Sequence, residues 1–207
     1  MKDAVARLTP LGVIVLALLR EGDMHPYEMM RLMRHRHDER LVSITNGTVY
    51  HTVARLVRAG LMAEVGVDRE GNRPERTIYA LTAEGREAFV EWVRRELPRI
   101  DRPAEFRVAL AEAHNLDRAE TIALLRERCT ALSAEREKHR HGRRKALADD
   151  VSEQFLLEVE REERMLDADL RWLDALVERL ERRDFEWGVE NLPRSDRYLE
   201  QRKAARL

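Results

Sequence analysis

This 207-residue chain contains a single cysteine, Cys129, and it lacks long apolar runs. One cysteine excludes a disulfide framework within the chain and is compatible with a reducing compartment. The most apolar stretch, Leu11–Leu19, is far shorter than the roughly 20 residues that a membrane-spanning helix needs. We therefore expect a soluble, cytoplasmic protein with no membrane partner, in which Cys129 is a small buried side chain.

Motifs that carry enzyme chemistry are also missing from the sequence. None of the four serines lies in a nucleophile-elbow pattern, and neither a glycine-rich phosphate loop nor a zinc-protease motif occurs. The pairs His35/His37 and His139/His141 are spaced i, i+2, so the two rings point apart on a helix, and neither pair has a second pair at ligand spacing. The sequence therefore predicts no enzyme, no metal site and no cofactor.

Charge of one sign does not dominate the chain, which has 38 basic and 39 acidic side chains and a formal net charge of −1. A balanced protein has no overall field that favours nucleic acid, so any such signal must be local. Residues 31–58 carry six arginines against two acidic residues. This segment is basic within a neutral protein, and the near absence of lysine is typical of a GC-rich bacterial genome.

Capping residues and helix breakers predict three helices in the first part of the chain. The first runs from Pro10 to about Glu21, the second begins near Pro26, and the third lies between a cap at Thr45 or Asn46 and a stop at Gly60. The first is apolar on most sides and is therefore expected to be buried. The second is expected to place Tyr27, Met30 and Met33 on one side.

Two short strands and a further helix follow. The stretches "LMAEVGV" and "RTIYAL" alternate as strands do, and the turn-rich "DREGNRPE" joins them. Thr82 then caps a helix that ends at Pro98. Three helices, a β-hairpin and a helix in this order describe a winged helix-turn-helix, in which the third helix reads DNA and the hairpin is the wing.

The third helix has two different faces. At about 100° per residue, one side forms an apolar stripe, and the opposite side is basic and polar. An ordinary surface helix with a solvated basic face is the alternative for this segment taken alone, and a turn of mixed charge is the alternative for the wing tip. The apolar stripe comprises Val49, Tyr50, Val53, Leu56 and Val57. The predicted DNA-binding residues are Asn46, Thr48, Tyr50, His51, Thr52, Arg55 and Arg58 on the helix and Arg69, Arg73 and Arg76 on the wing.

Several of these stretches resemble the PadR family of bacterial transcriptional regulators. "LTPLGVIVLALL" and "HPYEMMRLM" are similar to the first two helices of that family, "NGTVYHTVARLVRAGLM" to its recognition helix, and "RTIYALTAEGREAF" to its wing strand and the turn after it. The resemblance covers about residues 8 to 97. It implies that the longer members' helical C-terminal domain, which mediates dimerisation, is also present here.

The second half of the chain fits two long helices. In each, apolar residues recur at steps of three and four and form a seam, although the first seam turns polar after Leu132 and Glu163 interrupts the second. We expect these seams to pack against a second copy of the chain, with pairing of the two helices within one chain as the alternative. The predicted dimerisation residues are Ile122, Leu125 and Leu132 on the first helix and Leu156, Val159, Leu166, Leu170, Leu173, Val177 and Leu180 on the second.

The sequence as a whole predicts a mainly α protein with four parts: a winged helix-turn-helix (residues 1–97), a connector (98–116), a helical dimerisation domain (117–183) and a tail (184–207). The predicted function is a homodimeric transcriptional regulator, a repressor on a pseudo-palindromic operator in double-stranded DNA, which a small aromatic effector relieves. Trp92 and Trp172 are candidates for the effector pocket, with a core or interface role as the alternative. The rival function is a coiled-coil interaction module whose winged helix binds protein.

Overall fold

The computed structural model describes residues 5, 7–68, 75–188, 200–201 and 203–205. The fold is mainly α with one two-stranded antiparallel sheet, as predicted. Within the described residues, no helix is long and apolar enough to cross a membrane. The elements are α1 (Pro10–Arg20), α2 (Pro26–His35), α3 (Asn46–Arg58), β1 (Met62–Asp68), β2 (Arg76–Leu81), α4 (Ala83–Glu96), α5 (Pro103–Ala111), α6 (Arg118–Ala148) and α7 (Leu157–Glu181), with single 3-10 turns at Asp38–Arg40, Ala113–Asn115 and Glu153–Phe155.

The predicted starts of the first two helices are confirmed, and each has a side-chain cap. Thr9 Oγ1 accepts the N–H of Gly12 at 3.3 Å at the start of α1. At the start of α2 the cap is His25, whose Nδ1 accepts the N–H of Glu28 at 3.1 Å.

Helix α1 is the centre of the N-terminal core. Its residues are buried almost all round, and α3, α4, α5 and β2 all contact it. Trp92 on α4 is 1% exposed and belongs to this core. The wing is anchored to the same core, because Met24 and Tyr79 form an isolated antiparallel bridge that ties β2 to the segment before α2.

The segment predicted as a connector, residues 98–116, is folded against the N-terminal core. Helix α5 contacts α1 and α4, and the side chains on its inner side are buried. The buried side chains are Val108, Ala109, Ala113 and Leu116. The segment therefore extends the winged-helix core rather than separating it from α6.

Helices α6 and α7 form an antiparallel hairpin, and their two apolar seams pack against each other. The alternative of pairing within one chain is therefore what the structure of the single chain shows, and the homodimer stays a prediction. The buried seam residues are Leu125, Leu132, Leu166, Leu170, Leu173, Val177 and Leu180, while Ile122, Leu156 and Val159 are half-buried.

The polar positions of the two seams meet each other in an ionic layer. Arg140 donates to Glu163 at 2.9 Å and to Asp167 at 3.0 Å, Arg143 donates to Glu163 at 3.1 Å, and Arg136 donates to Asp167 at 3.1 Å. Desolvation alone would raise the pKa of Glu163, but the hydrogen bonds from Arg140 and Arg143 outweigh it, and the net shift is downward. The charged residues that interrupt the apolar pattern of α6 and α7 thus form ion pairs with each other.

The base of the hairpin is fastened to the N-terminal core. Arg94 on α4 forms an ion pair with Glu120 on α6. Arg128 is 4% exposed, its guanidinium carbon lies 3.4 Å from the ring centroid of Phe106, and it donates to the carbonyl of Arg99. The first turn of α6 and the end of α7 therefore lie beside the winged-helix domain, and the turn between the two helices is the distal tip.

A desolvated carboxyl group just after α5 makes stability depend on pH. Burial, assisted by the carboxylates of Asp38 and Glu21, raises the pKa of Glu112 to about 7 against the opposing effect of Arg20 and Arg36. Because the folded pKa lies above the unfolded value, the protonated form favours folding, and that contribution is lost between about pH 4.5 and pH 7. We expect Glu112→Gln to stabilise the protein at pH 8 by about 1–2 kcal/mol.

Urea unfolding at pH 5 and pH 8 measures this effect. The wild-type protein should lose more free energy of unfolding between the two pH values than the Glu112→Gln variant does. Glu127→Gln, at an exposed position on α6, is the matched control and should change neither value. Equal pH dependence in the wild type and in Glu112→Gln would contradict the assignment.

Candidate nucleic-acid interface

Both ends of α3 are fixed by local hydrogen bonds. Thr45 and Thr48 form a reciprocal capping box, in which Thr45 Oγ1 accepts the N–H of Thr48 at 3.1 Å and Thr48 Oγ1 accepts the N–H of Thr45 at 3.0 Å. At the other end Gly60 has φ 70°, and the N–H of Leu61 reaches the carbonyl of Leu56 at 3.0 Å. The predicted cap at Thr45 and stop at Gly60 are confirmed.

The outward face of α3 is built from small, aromatic and basic side chains. Its members recur at steps of three and four, as expected for one face of a helix. Ala54 lies in the middle of this face, where its methyl group leaves the backbone accessible. The exposed residues are Asn46, Gly47, Thr48, Tyr50, His51, Ala54 and Arg58.

Two residues of α3 do not lie on the face of the helix that was predicted for them. Thr52 was predicted to face DNA, but it is 5% exposed and packs into the core. Tyr50 was predicted both in the apolar stripe and among the DNA-binding residues. Its side chain is 51% exposed, so only the second prediction agrees with the structure. The buried face comprises Val49, Thr52, Val53 and Leu56, so it is rotated by roughly 50° from the predicted stripe.

Arg55 and Thr48 are engaged within the protein. Arg55 Nη2 donates to Thr9 Oγ1 at 2.7 Å, which joins α3 to the cap of α1, and Arg55 is half-buried. Thr48 Oγ1 also donates to the carbonyl of Thr45 at 3.0 Å. In this structure both side chains position the helix, and the exposed cation of α3 is Arg58.

A second group of donors lies beside α3, where the wing meets the start of α2. The guanidinium carbons of Arg76 and Arg31 lie 5.2 Å and 5.8 Å from the ring centroid of Tyr27, which is 41% exposed. Arg76 Nη1 lies 3.3 Å from His25 Nε2. The two guanidinium groups thus flank one exposed ring, an arrangement suited to an anion.

Of this second group, the sequence predicted only Arg76. Tyr27 and Arg31 were not predicted. Their spacing of i, i+4 could have indicated them, because residues at this spacing lie next to each other on a helix. The predicted wing residues Arg69 and Arg73 lie outside the described residues. Of the wing that the structure describes, Val65 and Val67 are more than half exposed.

The two tryptophans predicted for an effector pocket lie in different environments. Trp92 is 1% exposed inside the N-terminal core, whereas Trp172 is 46% exposed on the outward face of α7. The alternative of a core role therefore holds for Trp92, and a pocket at Trp172 stays a prediction.

Comparisons with known proteins agree with the N-terminal architecture. Residues 15–91 match the family described as "Transcriptional regulator PadR-like family". No curated protein matches this chain. The matched residues run from α1 to α4 and contain the whole helix-turn-helix and wing.

Matches among solved structures include Bacillus subtilis PadR in complex with operator DNA, with 19% identity over 83% of this chain and 99% of that chain and a TM-score of 0.40. The same protein in complex with p-coumaric acid has 17% identity over 84% of this chain and 100% of that chain, with a TM-score of 0.37. The protein smu.1604c from Streptococcus mutans has 15% identity over 81% and 98% of the two chains and a TM-score of 0.38. The family match over residues 15–91 thus makes the winged-helix part of this chain similar to the PadR-like family of transcriptional regulators.

Proposed function

We propose that this protein is a cytoplasmic repressor that binds double-stranded DNA by inserting α3 into the major groove. The outward face of α3 carries this proposal. Gly47 and Ala54 let the helix backbone approach the base edges, while Tyr50, His51 and Arg58 project from the same face. An α-helix fits the major groove, where each base pair presents a distinct set of donors and acceptors.

Contacts to the phosphate backbone come from groups on either side of α3. Arg58 lies at the end of the helix, and Arg31, Arg76 and Tyr27 form the second group of donors at the base of the wing. Arg69 and Arg73 at the wing tip are included as predicted contacts. In this proposal the main role of Arg55 is to hold α3 in place through its hydrogen bond to Thr9. Arg55 contacts DNA only if that hydrogen bond breaks and the guanidinium binds a phosphate or a base instead.

Replacing Arg76 should weaken binding to all DNA sequences alike. A phosphate contact carries no sequence information, and losing one reduces the slope of log affinity against log salt by about 0.9. We therefore expect Arg76→Ala to lower the affinity for operator and for random DNA by a similar factor and to flatten the salt dependence. Titrations at three or more salt concentrations measure both quantities.

Arg126→Ala is the matched control for this experiment. Arg126 is an exposed arginine on α6 that pairs with Glu181, away from the wing. The control should leave the affinity and the slope unchanged. A loss of preference at a single base pair in Arg76→Ala would show base contact instead, and an unchanged slope would remove Arg76 from the interface.

The proposal includes a homodimer that binds a pseudo-palindromic operator. Two copies of a helix-turn-helix read half-sites about 34–36 Å apart, or a multiple of that spacing, so that both recognition helices enter the major groove on one side of the duplex. The family resemblance extends the proposal to relief by a small aromatic effector. Such a compound acts only if it binds the two forms of the dimer with different affinity.

One experiment tests the function directly. Genomic fragments that the purified protein retains are sequenced, and a shared inverted repeat upstream of a gene is the expected result. Small aromatic acids are then tested for release of that fragment. Retention of fragments without any common sequence, with shallow salt dependence, would contradict sequence-specific DNA binding.

A further inference from the structure

The C-terminal ends of three helices meet beside the turn before α3 (residues 37–44). Glu21 is the C-cap residue of α1, Arg36 is that of α2, and Glu112 is that of α5. Arg36 donates to both carboxylate oxygens of Glu21, at 2.6 Å and 2.9 Å. The C-terminus of a helix carries a partial negative charge, so this junction disfavours an additional carboxylate.

The charged and titratable groups around Glu112 come from four parts of the fold. They are Arg20 and Glu21 at the end of α1, Arg36 and Asp38 after α2, Arg86 on α4, and His114 in the turn after α5. Burial is the largest cause of the raised pKa of Glu112, about 7, and the carboxylates of Asp38 and Glu21 add to it. Burial also lowers the pKa of His114 and favours its neutral form. The packed junction therefore favours a neutral Glu112, and the charge of this group changes near pH 7.

Helix α5 also supports the turn before α3 directly. Arg107 Nη2 on α5 donates to the carbonyl of Arg40 at 2.6 Å. Inside the same turn, the N–H groups of Leu41 and Val42 donate to the carbonyl of Asp38 at 2.8 Å and 3.1 Å. The cap of α3 follows three residues after Val42. The position of the turn on α5 therefore sets where the recognition helix begins.

We infer that Glu112 is a pH-sensitive positioning residue for the recognition helix. When its carboxyl group is neutral, α5 packs against the turn before α3 and keeps that helix in its DNA-binding position. When the group is ionised, this contact loosens and operator binding weakens. The inference rests on the proposed function and adds regulation by pH. It concerns α5, which lies outside the residues 15–91 of the family match.

The size of the effect follows from the linkage between protonation and packing. The pKa of Glu112 is about 7 in the packed form, and its ordinary value of 4.5 applies once the contact loosens. Because the pKa of the packed form is the higher one, raising the pH favours the loosened form, by about tenfold between pH 6 and pH 8. Since only the packed form keeps α3 in place, operator affinity should fall by up to the same factor.

Operator titrations of the full-length protein at pH 6, 7 and 8 and constant ionic strength test this inference. Between pH 6 and pH 8 the wild type should lose about tenfold more affinity than Glu112→Gln does. The comparison cancels the titration of histidines on the DNA-facing surface, such as His51, because both proteins carry them. Glu127→Gln on α6 is the matched control and should follow the wild type. Identical pH profiles of the wild type and Glu112→Gln would overturn the inference.

Variants of Arg107 test the contact between α5 and the turn. Arg107→Ala removes the donor to the Arg40 carbonyl, so affinity at pH 6 should fall towards the wild-type value at pH 8 and the pH dependence should become shallower. Arg107→Lys retains a donor and should keep most of the wild-type pH dependence. A loss of affinity in Arg107→Ala that is equal at every pH would indicate a phosphate contact and would count against the inference.

Hydrogen exchange of the free protein examines the turn without DNA. After correction for the intrinsic effect of pH on exchange, the N–H groups of Leu41 and Val42 should lose protection by about tenfold between pH 6 and pH 8 in the wild type and keep it in Glu112→Gln. Equal protection at the two pH values would overturn the inference, and operator binding by such a protein would leave the proposed function standing. A turn that loosens as expected in a protein that binds no DNA would refute the proposed function alone.

Discussion

Ala54→Glu should abolish specific DNA binding while the protein stays folded. Ala54 is exposed at the centre of the outward face of α3, between His51 and Arg58. A glutamate there brings a negative charge against the phosphates, and its longer side chain keeps the helix backbone away from the base edges. We expect the affinity for the operator to fall by about a hundredfold or more, because the added charge repels DNA and the neighbouring side chains no longer reach the bases.

The folded state should tolerate the same substitution. Glutamate is a good helix former, and Ala54 contributes no buried surface, so the cost in stability is expected to stay below about 0.5 kcal/mol. Ala134→Glu, at an exposed position on α6, is the matched control and should leave DNA affinity unchanged. Fluorescence anisotropy with a labelled operator and urea unfolding measure the two effects. Full affinity in Ala54→Glu would show that this face of α3 does not enter the groove.

The order of elements could be predicted because its signals are local. Thr9, Thr45 and Thr82 each accept a hydrogen bond from a backbone N–H three residues later, and Gly60 takes the left-handed conformation that ends α3. Such caps depend on four or five consecutive residues, so they can be read from the sequence. The strands and the apolar seams could be predicted as well, because the spacing of apolar residues within a single strand or helix is enough to indicate them.

The orientation of single side chains could not be predicted in the same way. Tyr50 and Thr52 stand at the two margins of the apolar face of α3, and the position of α1 and α2 decides which one is buried. Arg55 looked available to DNA because its partner, Thr9, is 46 residues away in the sequence. A helical wheel contains no information about such contacts.

The choice between a partner helix in the same chain and one in another chain was also beyond the sequence. Both arrangements bury the same seam, so the periodicity of Leu166, Leu170 and Leu173 does not separate them. The charged seam residues do not separate them either: Glu163 in one seam and Arg143 in the other are complementary in both arrangements, and in this structure they meet at 3.1 Å across the hairpin.

Gly85→Ala should destabilise the protein by about 3 kcal/mol or more. A Cβ atom at Gly85 would lie 1.9 Å from the carbonyl oxygen of Leu61 and 2.8 Å from Cδ1 of Leu81. The first of these contacts is with backbone, so no side-chain rotation relieves it. The first turn of α4 would have to move away from the start of β1.

That movement breaks the hydrogen bonds that join α3, the wing and α4. Thr82 Oγ1 accepts the N–H of Gly85 at 3.0 Å and donates to the carbonyl of Gly60 at 2.8 Å, and the N–H of Thr82 donates to the carbonyl of Leu61 at 3.3 Å. The end of α3 and the beginning of the wing are thus held on the cap of α4. We expect DNA affinity to fall together with stability.

Gly142→Ala on α6 is the opposite control. Apart from the neighbouring backbone of the helix itself, no atom lies within 4 Å of the position that its Cβ would take, and the residue is exposed within a regular helix. Alanine there should raise the free energy of unfolding by about 0.5–1 kcal/mol, because glycine loses more conformational freedom in a helix. Urea unfolding of both variants gives the comparison. A Gly85→Ala variant as stable as the wild type would mean that the first turn of α4 does not contact Leu61. The wing and α4 would then have to pack against each other differently.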